Sequence, residues 1–427
     1  MAIRRCLVVR RVPLLANSFV TVYESPDPSR IYAYTPGIAK TPSGRLIATM
    51  DCGGPGVIET PGPVAGSDEK KRIWRGKVFT SDDGGRTWQH RANFPFYHAR
   101  PFCAGQVLYI LGHAGDLAII RSDDDGNSWS DVAYLTEGQI WHQSACNVLY
   151  CRDRVYLVME RKMDPHVKGW PPSVYAPVLM SAAVNDDLTR PEAWRFSNQV
   201  AFRDIVPKPF GIGVPFHPIG QLAPGEPDVR NMAPIGWLET NVVQFYDPDH
   251  IWHDPTGRTF YLWMRAHTGT TNLACIAKAV EDEAGNLTVG LAQAPSGETV
   301  VWVPCPGGHL RFHILYDDVT KLYWLLSSQA TDSMIRVDRL PSDRFNLPNN
   351  ERHRLALYFS KNCVDWLMAG LVAYGDTPKQ ARHYASMAID GDDLVILSRS
   401  GDSRAKSAHD GNLITFHRVV NFRELVY

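Results

Sequence analysis

Along this chain, short apolar runs alternate with short polar turns, and one arrangement recurs six times. An apolar strand is followed by a tight polar turn and then by a second apolar strand. The first copy runs from Gly37-Ile38-Ala39-Lys40 through Pro42-Ser43-Gly44 to Leu46-Ile47-Ala48. The second turns at Ala104-Gly105 before Val107-Leu108-Tyr109-Ile110, and the third at Arg152-Asp153 before Val155-Tyr156-Leu157-Val158. The fourth turns between Asp254 and Gly257 before Phe260-Tyr261-Leu262-Trp263. The fifth turns at Asp317-Asp318 before Leu322-Tyr323-Trp324-Leu325, and the sixth at Asp390-Gly391-Asp392 before Leu394-Val395-Ile396-Leu397. β-branched and aromatic runs on either side of Gly, Asn or Asp turns are the signature of hairpins.

Six hairpins spread over one chain predict an all-β fold, a six-bladed β-propeller of four-stranded antiparallel blades. The widest interval lies between the third and fourth turns. It contains Pro165–Pro172 and the Pro- and Gly-rich run Pro207–Pro234, which reads as a long loop insertion around 163–234 over one face. No linker or shift in composition marks a boundary, so residues 1–427 are expected to form a single domain. The competing arrangement is a β-sandwich followed by a second all-β unit.

Composition changes this picture little. Hydrophobic residues make up 44% and charged residues 21% of 427, ordinary for a globular chain. The 33 Gly, 30 Pro, 17 Tyr and 12 Trp suit strands and tight turns. Lys and Arg number 44 against 45 Asp and Glu, so there is no electrostatic reason to expect nucleic acid or a membrane surface as partner. No apolar run approaches the ~20 residues of a membrane span. Arginines interrupt the N-terminal apolar stretch at Arg4, Arg5, Arg10 and Arg11, a poor signal peptide. The expectation is a cytoplasmic chain, or a secreted or periplasmic one if a leader was removed. The eight cysteines are scattered without a CxxC pair, and free, mostly buried thiols are expected. Nothing implies a metal or another cofactor, and an oligomer is compatible with the sequence.

Two further segments carry a sharper signal. Ser81-Asp82-Asp83-Gly84-Gly85-Arg86-Thr87-Trp88 fits S-x-D-x-G-x-T-W at every defined position, and Ser122 to Trp129 fits with Ser in place of Thr. A shortened copy spans Ser360–Trp366. In such a turn the Ser and Asp side chains take up backbone amides, Gly takes the positive-φ position and Trp packs beneath. On these motifs the chain resembles the sialidase (neuraminidase) superfamily, the Asp-box or BNR-repeat propellers, over roughly Tyr32 to Phe422.

The resemblance implies a site. In sialidases a glutamate opens the inner strand of the fourth blade and an arginine ends the next strand; Glu239 in Leu238-Glu239-Thr240-Asn241 and Arg265 in Trp263-Met264-Arg265 match those places. The nucleophilic tyrosine of the last blade is matched by Tyr384 in His383-Tyr384-Ala385-Ser386. An arginine some thirty residues earlier is matched first by Arg352 and second by Arg354. The implied chemistry pairs a carboxylate with a phenol, whose ordinary pKa of about 10 makes it a weak nucleophile unless a base draws off its proton. Arginines clamp a sugar carboxylate, and a carboxylic acid on a loop protonates the leaving group. The resemblance therefore implies a hydrolase of acidic sugars, an exo-sialidase-like glycosidase taking an acidic glycan.

The chain departs from that pattern in two places. Sialidases open the first blade with an arginine in R-I-P; here Tyr34 stands at that place in Tyr34-Thr35-Pro36, and Arg30 is at the wrong offset. The acid is not set in a motif: Asp68 and Glu69 lie in the corresponding loop, and Glu59 is an alternative. Histidines stand at expected inner-strand starts, His98 and His142, with His113 nearby. Histidine and tyrosine together suit a propeller lyase that cleaves uronic-acid glycosides by β-elimination. A non-catalytic carbohydrate-binding propeller is the third reading.

Overall fold

A computed structural model describes residues 12–65, 73–167, 171–207, 236–267, 272–331, 339 and 351–427. Its strands form six antiparallel sheets of four or five strands, with one additional two-stranded ribbon. The sheets follow one another along the chain as blades. The first comprises Tyr32–Lys40, Leu46–Gly53, Trp74–Ser81 and Gln89–Phe94, in that order from the inside outward. The second runs Tyr97–Ala104, Val107–Ala114, Asp116–Ser122 and Ala133–Tyr134. In the third the inner strand is broken into Trp141–His142 and Leu149–Cys151, both paired with Arg154–Lys162. Tyr175–Ala183 and Arg195–Phe196 complete that blade. Blades four, five and six begin at Gly236–Val243, His313–Asp317 and Arg382–Asp390. The six-bladed propeller expected from the hairpins is the observed fold.

The ring is closed by the two ends of the chain. Val20–Glu24 pairs with Leu413–Val419 and becomes the outermost strand of the sixth blade. Each of the six turns read from the sequence joins the inner strand of a blade to its second strand. The loop expectation for 163–234 needs correction, because Tyr175–Ala183 and Arg195–Phe196 within it are strands and Phe202–Ile205 is a short helix. The strands Tyr175–Ala183 and Arg154–Lys162 are buried on both faces between neighbouring blades, so their sequences lack the alternation of a half-exposed strand. Residues 208–235 lie outside the described ones.

The core sits between blades. Trp237, Phe260 and Leu262 of the fourth blade pack with Tyr156, Val158 and Leu179 of the third, and the other interfaces repeat this arrangement. At roughly 25 cal/mol per Å² of apolar area removed from water, these interfaces supply the main stabilisation of the ring. All described cysteines are free thiols, five of them buried; Cys6 lies outside the described residues.

The two S-x-D-x-G-x-[ST]-W turns link the third and fourth strands of blades one and two. The hydroxyl of Ser81 accepts a bond from the Gly85 amide at 2.8 Å, Asp83 accepts the Thr87 amide at 2.9 Å, and the Trp88 indole donates to the Gly85 carbonyl at 3.1 Å. Ser122, Asp124, Gly126 and Ser128 repeat this geometry. Gly85 has φ +90°, and a Cβ there would come within 2.3 Å of the Phe416 ring. Because strands alternate in direction, these turns and the six hairpin turns share one face. The starts of the inner strands lie on the other.

Candidate active site

On that other face, four inner strands carry the same irregularity. Their register slips once against the second strand, at Tyr34/Gly37, Tyr97/Arg100, Leu238/Asn241 and His383/Ser386. Inside each slip one residue other than glycine adopts a left-handed backbone: Thr35 at φ 41°, His98 at 55°, Glu239 at 57° and Tyr384 at 49°. Such a conformation costs on the order of 1–3 kcal/mol per residue and persists only where its surroundings enforce it. Bulges of this kind redirect a side chain. Here they bring the residues of four blades to one end of the central axis.

The enforcing contacts come from the blade before. Asp51, on the second strand of the first blade, accepts the backbone amide of His98 at 3.1 Å. Glu160, on the second strand of the third blade, accepts the Thr240 amide at 3.0 Å and the Thr240 hydroxyl at 2.7 Å, fixing the residue after Glu239.

Three of the expected residues meet directly. Nη1 of Arg265 lies 2.5 Å from the Tyr384 hydroxyl and 3.3 Å from Oε2 of Glu239, while its Nε donates to the His309 carbonyl at 2.9 Å. All three side chains are buried. Burial lowers the Arg265 pKa, but Tyr384 and Glu239 outweigh it and the group lies above the ordinary arginine value. The expected direct pair of carboxylate and phenol is thus bridged by a guanidinium. Negative charge developing on the phenol oxygen would be stabilised by Arg265 in this water-poor setting.

Arg352 joins them. Its guanidinium stands 5.2 Å from the centre of the Tyr384 ring, and its Nη1 meets Nδ1 of His383 at 3.1 Å. Arg354, the second choice, does not join: it pairs with Glu351 at 2.9 Å and covers the Tyr374 ring. Arg352 precedes the strand Arg354–Ser360, and its carbonyl accepts the Arg382 amide at 2.8 Å, which ties it to the inner strand of the sixth blade, whereas Arg354 opens the strand and turns to Glu351.

Tyr34, in the place of the absent arginine, donates its hydroxyl to Asp410 at 2.7 Å. Over its ring, at 4.1 Å, lies the guanidinium of Arg399, which is also 5.5 Å from the Tyr384 ring. Arg399 comes from the second strand of the sixth blade and is buried; its Nη2 donates to the His409 carbonyl. Burial lowers its pKa, offset in part by Tyr34, Asp410, Tyr384 and Asp51. His409 and Asp410 are 2.6 Å apart. The imidazole is held neutral by burial and by Arg399. Hydrogen bonds from His409 and Tyr34 and the charge of Arg399 hold Asp410 ionised despite its burial.

The histidines form an adjoining group. His98 Nδ1 and His113 Nε2 are 3.1 Å apart, and the His98 and His142 rings are 5.3 Å apart. His142 stacks on Tyr175 at 4.9 Å and approaches Glu160 at 3.4 Å. Burial, and then His142, push the His113 pKa well down. Trp74 connects the two groups, 5.1 Å from the Tyr34 ring and 5.8 Å from His98. Of the expected acids, Asp68 and Glu69 lie outside the described residues. Glu59 is exposed and paired with Arg30 on the surface. Among the described residues no group of three or more His, Cys, Asp or Glu could hold a metal ion.

Comparison with solved structures fits this architecture. A Trypanosoma rangeli sialidase mutant displaying trans-sialidase activity superposes with a TM-score of 0.55 at 12% identity, over 96% of this chain and 59% of that one. The fold is that of the sialidases. An intramolecular trans-sialidase from Ruminococcus gnavus gives 0.52 at 11% identity, covering 95% of this chain and 97% of that one. The same propeller also serves a Penicillium chrysogenum α-L-arabinanase, at 0.51 and 11% identity over 96% and 99% of the two chains. No protein-family model and no curated protein matches the sequence. At such identities the likeness establishes the sialidase fold, and the chemistry has to be argued from the residues.

Proposed function

We propose that the chain is a retaining glycoside hydrolase of sialidase type, acting on a sugar that carries a carboxylate. The observation that supports this most is the convergence of three guanidiniums, Arg265, Arg352 and Arg399, around the Tyr384 phenol. Three buried cations around one phenol ring suit an anionic sugar and are of little use to a neutral one. In the resting geometry Nη1 of Arg265 lies between Glu239 and Tyr384. A substrate carboxylate competing for that guanidinium frees Glu239 to take the phenol proton. The phenol oxygen then bonds to the anomeric carbon as the bond to the leaving oxygen breaks. An acid gives that oxygen its proton, and water later releases the sugar from the tyrosine. Asp68 remains the acid proposed on the loop; His142 and His98 are the described groups beside the site that can donate. In this reading the two serine-to-tryptophan turns are Asp boxes and serve the frame alone.

The histidine trio favours a second reading, β-elimination of a uronate, in which His142 or His98 removes a carbon-bound proton and Tyr384 protonates the leaving oxygen. One panel separates the readings: umbelliferyl α-sialoside, β-glucuronide and α-L-arabinofuranoside, together with a polyuronate followed by ultraviolet absorbance. Release from a carboxylate-bearing glycoside is expected. Tyr384→Phe and Glu239→Gln are each expected to lower kcat/KM by on the order of 10³, about 4 kcal/mol of transition-state stabilisation. Turnover of the arabinofuranoside alone, or undiminished hydrolysis in both variants, refutes the reading; an ultraviolet signal without hydrolysis favours the lyase.

A further inference from the structure

Beneath Tyr384 the propeller axis continues as a cavity of about 560 Å³. It runs between the later halves of the inner strands toward the face of the hairpin turns, where half-exposed Tyr150 and Tyr246 stand at its mouth. Arg100 lies at its inner end, and Arg311 lies just behind the lining residues Ala145 and Ser386, to both of which it bonds; the proposed chemistry uses neither arginine. Their side chains are almost wholly inaccessible to solvent.

The broken inner strand of the third blade brings these two cations together. Between Trp141–His142 and Leu149–Cys151 the chain makes a tight turn, with the Cys146 amide bonded to the Ser144 carbonyl at 2.7 Å. Nη2 of Arg100 donates to the Ser144 carbonyl at 3.3 Å and to that of Val158 at 3.2 Å. Nη2 of Arg311 donates to the next carbonyl, that of Ala145, and to the Ser386 hydroxyl at 2.6 Å; its Nη1 donates to the Tyr384 carbonyl. Two guanidiniums thus bind consecutive carbonyls of one turn.

None of these acceptors carries charge. Among the described residues neither arginine has a carboxylate within salt-bridge distance. Glu160 acts on Arg100 through its charge, but its oxygens bond Thr240, Gln143 and His142 and contact neither guanidinium. Three buried donors, Nε and Nη1 of Arg100 and Nε of Arg311, have no hydrogen-bond partner. A fourth donor faces the same cavity. Nδ1 of His313 accepts the Met387 amide at 3.1 Å, which leaves the proton on its Nε2.

A guanidinium cannot shed its proton under ordinary conditions, and a buried charge without a counter-charge in contact is strongly disfavoured. Water can satisfy donors, but it cannot neutralise two positive charges. We infer that the inner end of this cavity holds a small inorganic anion of the chloride class, bound between Arg100 and Arg311. The His313 imidazole supplies a further donor, and the channel to the hairpin face is the route of entry. This site is separate from the one proposed for catalysis and does not depend on that activity.

The test is thermal unfolding of the full chain in sodium gluconate, with chloride substituted at constant ionic strength. A saturable rise in Tm is expected, since at a hundred times the dissociation constant a ligand of the folded state shifts the folding equilibrium about 100-fold. Arg100→Met is expected to abolish the chloride dependence. Equal Tm in gluconate and chloride, or an undiminished response in Arg100→Met, overturns the proposal. So does a response to sulfate or phosphate without one to chloride. Should the variant fail to fold, the wild-type protein crystallised with bromide decides. An anomalous peak in contact with both guanidiniums is expected, and an empty channel, or peaks only elsewhere, overturns the assignment.

Discussion

Replacement of Asp51 by asparagine has a consequence for stability whose size and sign follow from the structure. Asp51 lies fully buried on the second strand of the first blade. One carboxyl oxygen accepts the His98 amide, while Oδ2 is buried with no hydrogen-bond partner. Burial raises its pKa from the usual carboxylate value to about 7, against the lowering effects of the His98 amide, Arg399 and Thr35. In the unfolded chain the same group titrates near 3.9. Between pH 4 and 7 the folded protein therefore holds a proton that the unfolded chain has released, and stability falls as pH rises through this window. At about 1.4 kcal/mol per unit, three units amount to a penalty of at most about 4 kcal/mol, fully present above pH 7. Asparagine keeps the acceptor for His98 and cannot ionise. Asp51→Asn is expected to match the wild type near pH 4 and to exceed it in stability by a few kcal/mol at pH 8. Guanidinium unfolding midpoints at pH 4.5, 6 and 8 measure the difference. Parallel pH profiles, or a variant less stable than the wild type at pH 8, refute the reasoning.

The arginine cluster and the frame make separable predictions. Arg352→Met and Arg399→Met should each lower kcat/KM for a carboxylate-bearing glycoside by roughly 10- to 100-fold, the loss of one charge-assisted hydrogen bond. Arg354→Met, which removes only a contact with Glu351 and Tyr374, should stay within about twofold of the wild type; steady-state kinetics on folded protein checks all three. Asp83→Ala removes the acceptor for the Thr87 amide and hydroxyl and should cost about 1–3 kcal/mol. Because that turn faces away from Tyr384, kcat/KM of the folded variant should be unchanged, and denaturant unfolding beside the kinetics tests both halves.

The frame was legible in the sequence because its signals are local. A hairpin turn or a serine-to-tryptophan turn is specified within about eight residues, and its hydrogen bonds close inside that span, as those of Ser81, Asp83 and Trp88 do. Glu239, Arg265 and Tyr384 were reached through motif order, and they do meet. Arg399 and Asp51 were missed, because their importance is created by register across strands. A signal was present nonetheless. The second strands of five blades each carry an ionisable residue paired with the residue just before the inner-strand bulge or, in the third blade, before the break: Asp51 with Tyr34, His113 with Tyr97, Glu160 with His142, Arg265 with Leu238, and Arg399 with His383. A charge or imidazole inside an otherwise apolar strand, such as Met50-Asp51-Cys52 or Leu397-Ser398-Arg399, marks such a place. The bulges themselves gave no warning. Thr35, His98, Glu239 and Tyr384 are not residues that announce a left-handed backbone, and the conformation is imposed by partners on other strands, as Asp51 does for His98.

Those four bulges also bear on how such a protein can change. The crooks at His98 and Glu239 are held by groups other than the side chain presented, and threonine, histidine, glutamate and tyrosine occupy equivalent sockets on a common chassis. Exchanging what sits in a socket alters the reagent offered to a bound sugar and leaves the holder as it was. A new chemistry on this scaffold is then a matter of a few substitutions at fixed addresses around the ring, with no loop to be rebuilt.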